Sequence, residues 1–341
     1  MPLTSDIAID ATKFHAGRVT EETKKINTLV EGITKKGPQW HEVGITKYRQ
    51  VRETGDTPLL VPVYLPGALD ATLPSREKGR TIPIRVYKPE NGQPSKGILL
   101  HFHGGGFVLA THKHSDSTLK SYANGCQLTA ISVGYRLAPE SPYPATIEDC
   151  CDAAEYLVDH AENDYGAELL FMGGESAGSC CAAVTAFQLL RSRPAHKLAG
   201  LIFPYGQFDL TLNLPQVSSA TRPLLINCET MRRFSDAYVP GMTMEDKRSA
   251  SVSPLYEDMQ ALVSSGPDKR LPPALFLVGT EDPLLDDTLL MSMKWMIAGG
   301  EAVVKIFTGA PHGFTAFPSK SSAEASEVTM QFVQENLGTY V

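Results

Sequence analysis

Ser176 stands at the centre of Gly174-Glu175-Ser176-Ala177-Gly178, between an apolar run (168–174) that reads as a strand and small residues that read as a helix. A sharp strand-to-helix turn lifts a serine side chain clear of a sheet, and glycine on either side avoids collisions with neighbouring backbone. The serine also sits at a helix N-terminus, where free N–H groups favour developing negative charge. Serine is a weak nucleophile until a histidine takes its proton and a carboxylate orients that histidine. Of the nine histidines, His312 in "GAPHGF" follows an apolar run at 302–307. Asp282 in "GTEDPLLDD" follows another at 274–280, with Glu281, Asp286 and Asp287 as rival acids. The order Ser, Asp, His is that of one fold class.

A second stretch, "HFHGGGFVLA" from 101 to 110, places three glycines directly after a buried run. Such a loop is entropically costly, and its compensating use is the approach of a ligand to bare N–H groups, as an oxyanion requires. His101, His103, His112 and His114 form two H-x-H pairs that raise a metal site, but no cysteine or acid-rich partner is near in sequence. The role expected of His103 is structural, holding the glycine loop in shape.

The elements that must position these residues follow from periodicity. Short apolar runs at 97–103, 129–135, 168–174, 200–205, 274–280 and 302–307 lack alternation, as buried parallel strands do. Helical patterns lie between most of them, which predicts a parallel sheet with helices on both faces. "TIPIRVY" at 81–87 alternates and predicts an antiparallel edge strand, and one short strand is predicted over 59–65. A helix is predicted over 20–36, capped by Thr20, with Ile26, Leu29, Val30 and Ile33 as its apolar stripe. A second stripe, Leu285, Leu289, Met293 and Met296, is predicted to face inward after the strand at 274–280. Residues 206–273 contain no strand pattern but carry the stripe Met231, Phe234 and Tyr238; this reads as a helical insertion over one end of the sheet.

The 341 residues carry a formal charge of −7, 42% apolar and 20% charged residues, which argues against general affinity for nucleic acid or anionic membrane. The six cysteines, two adjacent pairs and two singles, fit neither a disulfide framework nor a zinc spacing and suit reduced thiols in the cytoplasm. No signal peptide and no membrane-spanning run is read, and no cofactor or metal is called for.

"HGGGF" at 103–107, "YRLAPE" at 135–140, "GESAG" at 174–178, "SPL" at 253–255, "LPPALFLVGTEDPL" at 271–284 and "HGF" at 312–314 together resemble the hormone-sensitive-lipase-like (family IV) esterases of the α/β-hydrolase superfamily. The resemblance spans roughly residues 80–335, in order. It implies an α/β-hydrolase fold with a mostly parallel eight-stranded sheet under a helical cap. The cap falls on 1–40 and 206–252, and the catalytic domain on 41–205 and 253–341. It implies Ser176 as nucleophile, Asp282 as acid and His312 as base, with the N–H groups of Gly104, Gly105 and Ala177 as the oxyanion hole. Uncharged esters with short to medium acyl chains are the implied substrates. Phe107 and Tyr205 are candidate pocket walls. Gly134 departs from the family, which often has Asp before "YRLAPE". The expected partner is a small-molecule ester, with a homodimer left open. Alternatives are a lactonase, deacetylase or amidase, or a small-molecule receptor on the same fold that has lost catalysis.

Overall fold

The computed structural model describes residues 5–55, 57, 59, 61–265 and 270–340. Eight strands form one sheet: β1 (Ala68–Pro74), β2 (Thr81–Tyr87), β3 (Ile98–Phe102), β4 (Thr129–Val133), β5 (Leu169–Gly174), β6 (Gly200–Pro204), β7 (Ala274–Gly279) and β8 (Ala302–Phe307). Their order is β1-β2-β4-β3-β5-β6-β7-β8. Pairing is parallel from β4 to β8 and antiparallel at β1–β2 and β2–β4. Every residue of β3, β4, β5, β6 and β7 is buried, the pattern expected of strands covered on both faces.

Eight described helices have ten or more residues: α1 (Glu21–Lys36), α2 (Ile45–Thr54), α3 (Asp116–Cys126), α4 (Ala145–Tyr165), α5 (Ala177–Ser192), α6 (Cys228–Tyr238), α7 (Leu285–Ile297) and α8 (Lys320–Tyr340). Residues of α4, α5 and α7 share one large apolar cluster with one face of the sheet. Residues of α3 and α8 share a second cluster on the other face. Among the described residues no helix is long and apolar enough to cross a membrane.

Four expectations change. β2 is antiparallel as read but is not the edge, because β1 pairs outside it from Ala68↔Tyr87 to Pro74↔Thr81. The described residues of 59–65 form no strand, and Leu60 lies outside the described residues; the chain becomes extended at β1 instead. The N-terminal helix is capped by Thr20, whose side chain accepts from Thr23 N. It buries Thr23, Asn27, Val30 and Thr34, however, and leaves Leu29 60% exposed. Its rotation is set by polar docking: Asn27 Nδ2 donates to Gly309 O at 2.9 Å. In α7 the buried face is Leu285, Asp287, Thr288, Met291, Ser292 and Trp295, while Met296 faces out. Trp295, fully buried against Phe187, Phe203 and Phe276, decides that phase. The insertion is helical as read: among the described residues no strand forms between β6 and β7, and α6 buries Met231, Phe234 and Tyr238.

Candidate active site

β3, β5, β7 and β8 run parallel, so the loops after them emerge at one edge of the sheet. Gly104, Gly105, Ser176, Asp282 and His312 lie in such loops, and Ala177 opens the helix that follows β5. After β5 the chain turns directly into α5, and Ser176 takes φ 56° and ψ −116° at the turn. Such a conformation costs about 1–3 kcal/mol in a residue other than glycine, so surrounding contacts must impose it. Here Ser176 N donates to Pro204 O at 3.1 Å, and Gly178 N donates to Glu175 O at 2.8 Å. Ser179 Oγ donates to Gly174 O, tying the first turn of α5 back to β5. The flanking glycines are needed for close approach: a Cβ on Gly174 or Gly178 would lie 2.0 or 1.9 Å from Phe102 O.

The strained turn brings Ser176 Oγ to 2.9 Å from His312 Nε2. His312 Nδ1 in turn lies 3.0 Å from both carboxylate oxygens of Asp282. Asp282 is fully buried, and its Oδ1 also accepts from Leu284 N at 2.8 Å. His312 is held from the side by Tyr205, whose ring meets it edge-on at 5.0 Å and whose hydroxyl lies 2.5 Å from Thr315 Oγ1.

The rival acids are occupied elsewhere. Asp287 Oδ1 accepts from Phe208 N and Asp209 N at 2.7 and 2.8 Å, and Asp286 Oδ2 accepts from Gln216 N at 2.8 Å. Burial pushes the Asp287 carboxyl well above the ordinary range. Glu281 is exposed and lies 3.6 Å from Arg222.

The glycine loop follows β3. Gly105 takes φ +117°, and a Cβ there would lie 2.3 Å from Leu109 O. His103 stacks on Tyr135 at 4.2 Å, and its Nδ1–H donates to Gly104 O at 2.8 Å. Burial lowers its pKa to about 3, so the ring is neutral and makes this contact as its Nδ1–H tautomer. Among the described residues, the N–H groups of Gly104, Gly105 and Ala177 have no protein acceptor. Gly104 and Gly105 lie in the loop after β3, and Ala177 directly follows Ser176.

The H-x-H pairs are not a cluster. His101 places Nδ1 3.0 Å from Ser132 Oγ and Nε2 2.9 Å from Glu175 Oε2. Burial acts to raise the Glu175 carboxyl, but the charge and hydrogen bond of His101 outweigh it and bring it below the usual value. His114 pairs with Glu53 at 2.7 Å, and His112 fills the space left open at Gly134, where a Cβ would lie 2.5 Å from its Nδ1. Among the described residues no group of three His, Cys, Asp or Glu side chains could hold a metal ion.

A cavity of about 330 Å³ opens above Ser176 and His312. Trp40, Leu109, Met231 and Phe234 give it apolar walls, and Trp40 stacks on Phe234 at 5.6 Å across the two non-sheet segments. Tyr205 lines it as read, whereas Phe107 does not; its ring is buried against Tyr238 at 3.9 Å. Sequence reasoning missed Gln207, Arg52 and Glu53, which line this cavity, and took His114, which also lines it, only as half of an H-x-H pair. Gln207, Arg52 and Glu53 show no periodic or motif signal, being spread over two distant segments.

A model of the alpha/beta hydrolase fold matches residues 99–316. The chain belongs to that family. It is 29% identical over 277 residues to the ethyl acetate hydrolase of Pseudomonas putida, covering 79% of this chain and 82% of that enzyme. It is 29% identical over 239 residues to the carboxylesterase NlhH of Mycobacterium tuberculosis, covering 69% and 72%. The solved structure of a hyperthermophilic esterase from the archaeon Pyrobaculum calidifontis superposes with a TM-score of 0.77 at 26% identity, covering 92% of this chain and 97% of that one. The resemblance to hormone-sensitive-lipase-like esterases, read from the motifs, is borne out in this company.

Proposed function

We propose that this α/β-hydrolase is a serine carboxylester hydrolase for uncharged esters with short to medium acyl chains, working through Ser176, His312 and Asp282. The observation that carries the reading is the hydrogen-bonded line from Ser176 through His312 to Asp282, at 2.9 and 3.0 Å, beside three unused N–H groups. The names of the esterase relatives support the same chemistry.

In this mechanism His312 Nε2 accepts the Ser176 proton as Oγ attacks the ester carbonyl. The N–H groups of Gly104, Gly105 and Ala177 stabilise the oxyanion, and Asp282 holds the Nδ1–H tautomer and steadies the imidazolium. Collapse expels the alcohol, which takes the proton from His312. A water activated by His312 then attacks the acyl-enzyme, releases the acid and restores Ser176. The cap role falls to 1–40 and 206–252, whose Trp40 and α6 wall the cavity, with α2 completing the wall. The cavity volume of about 330 Å³ supports a preference for short and medium acyl groups.

Ser176→Ala tests the reading on p-nitrophenyl acetate and butyrate. Hydrolysis should fall to the blank with the circular dichroism spectrum unchanged; residual activity near the native rate would remove Ser176 as nucleophile. A graded ester series should peak at short and medium acids and fall for long ones.

A further inference from the structure

Gln207 lies in the connection after β6 and lines the cavity above Ser176, yet the residue is only 3% exposed. Its backbone N donates to Ser176 O at 3.3 Å, so it sits directly beside the elbow. The two residues that follow are pinned by their N–H groups to the buried Asp287 carboxyl oxygen Oδ1 at 2.7 and 2.8 Å. On the other side, Tyr205 N donates to Leu277 O at 2.6 Å. The side chain is therefore presented from a rigid backbone. Among the described residues its carboxamide has no hydrogen-bond partner, and it is not sealed from the cavity.

Water in the cavity reaches this amide, so a ligand that displaces the water must replace its hydrogen bonds or leave the amide unpaired at a cost of about 1–3 kcal/mol. A carboxamide offers two donors and one acceptor, and a hydroxyl, which both donates and accepts, satisfies it best. An apolar substrate would strip water from the amide and leave it bare, so the site discriminates against the isostere that lacks the polar group.

We propose that Gln207 is a specificity-determining residue that hydrogen-bonds a hydroxyl group carried by the substrate within a few bonds of the scissile ester. The natural substrate class is then hydroxylated esters rather than plain alkyl esters. This inference rests on the esterase reading.

Two isosteric pairs test it, each exchanging a methyl for a hydroxyl. In the acid arm, the p-nitrophenyl esters of 3-methylbutanoic and 3-hydroxybutanoic acid are compared. In the alcohol arm, propyl acetate and 2-hydroxyethyl acetate are compared. Rates are normalised by titrating reactive serine with an organophosphate, so that misfolded enzyme is not counted. The native enzyme should prefer the hydroxylated member in at least one arm by about tenfold in kcat/KM. Gln207→Met, of similar size and shape, should lose that preference from both directions: the hydroxylated ester slows and the methyl ester speeds up. Gln207→Glu keeps acceptors and loses the donors, so it should hold part of the preference. No preference in either arm, or a preference that survives in Gln207→Met, overturns the proposal. If neither native enzyme nor variant hydrolyses any ester, the esterase reading fails first; if plain esters turn over only with Ser176 present, that reading stands whatever Gln207 does.

Discussion

Replacing Asp282 by Asn separates a carboxylate that supports His312 from its neighbours that do not. Both Asp282 oxygens lie 3.0 Å from His312 Nδ1 in a fully buried position. An asparagine there keeps the size but presents an amide N–H or a neutral oxygen. Either the ring adopts the tautomer with the proton on Nε2, which cannot accept from Ser176, or the imidazolium loses its counter-charge. At an effective dielectric constant of about 20, two unit charges separated by roughly 3–4 Å attract by about 4–5 kcal/mol, which corresponds to a rate loss of about 10³–10⁴. Asp287→Asn is the contrast. Burial already favours the uncharged form of Asp287, and an asparagine oxygen can still accept from Phe208 N and Asp209 N. Its kcat should stay within a few-fold of native, as should that of Asp286→Asn. The assay is kcat on p-nitrophenyl butyrate with active-site titration. An Asp282→Asn enzyme within tenfold of native, or an Asp287→Asn enzyme slower than Asp282→Asn, would refute the assignment.

Two further outcomes follow from packing and burial. Gly178→Ala should be poorly soluble or melt well below the native protein, because its Cβ would lie 1.9 Å from a backbone oxygen that no rotamer change can move; an unchanged melting temperature would refute that close approach. Burial lowers His103 to about 3 and His112 to about 4, while the unfolded chain protonates both near 6.5. The unfolded state therefore binds more protons below about pH 6.5, and stability must fall as pH drops from there towards 4, by about 2–3 kcal/mol per histidine at most by pH 4.5. Urea unfolding at pH 7 and 4.5 measures this, and His103→Asn should flatten the slope; equal slopes would refute it.

Local chemistry explains why parts of this fold are legible in the chain. The central strands are unbroken apolar runs because each is covered on both faces, and the glycines of the elbow and the loop after β3 mark close backbone approaches. Ser176, Asp282 and His312 each follow an apolar run, which placed them at ends of parallel strands, hence at one sheet edge. β1 was not legible, since its burial pattern is mostly exposed and only its pairing with β2 defines it.

By itself the sequence determined which residues could meet: strand ends, glycine turns and helix caps are written in neighbours a few positions apart. Only the tertiary structure decided which did. The face of α1 was set by Asn27 reaching Gly309, 282 positions away, and the phase of α7 by aromatic packing around Trp295. The same holds for the acid at His312: four carboxylates lie within seven residues, and only long-range folding turns Asp282 towards the ring and Asp287 towards β6's connection. A periodicity reading senses how apolar each position is, whereas a buried polar contact depends on a partner whose distance along the chain leaves no local trace.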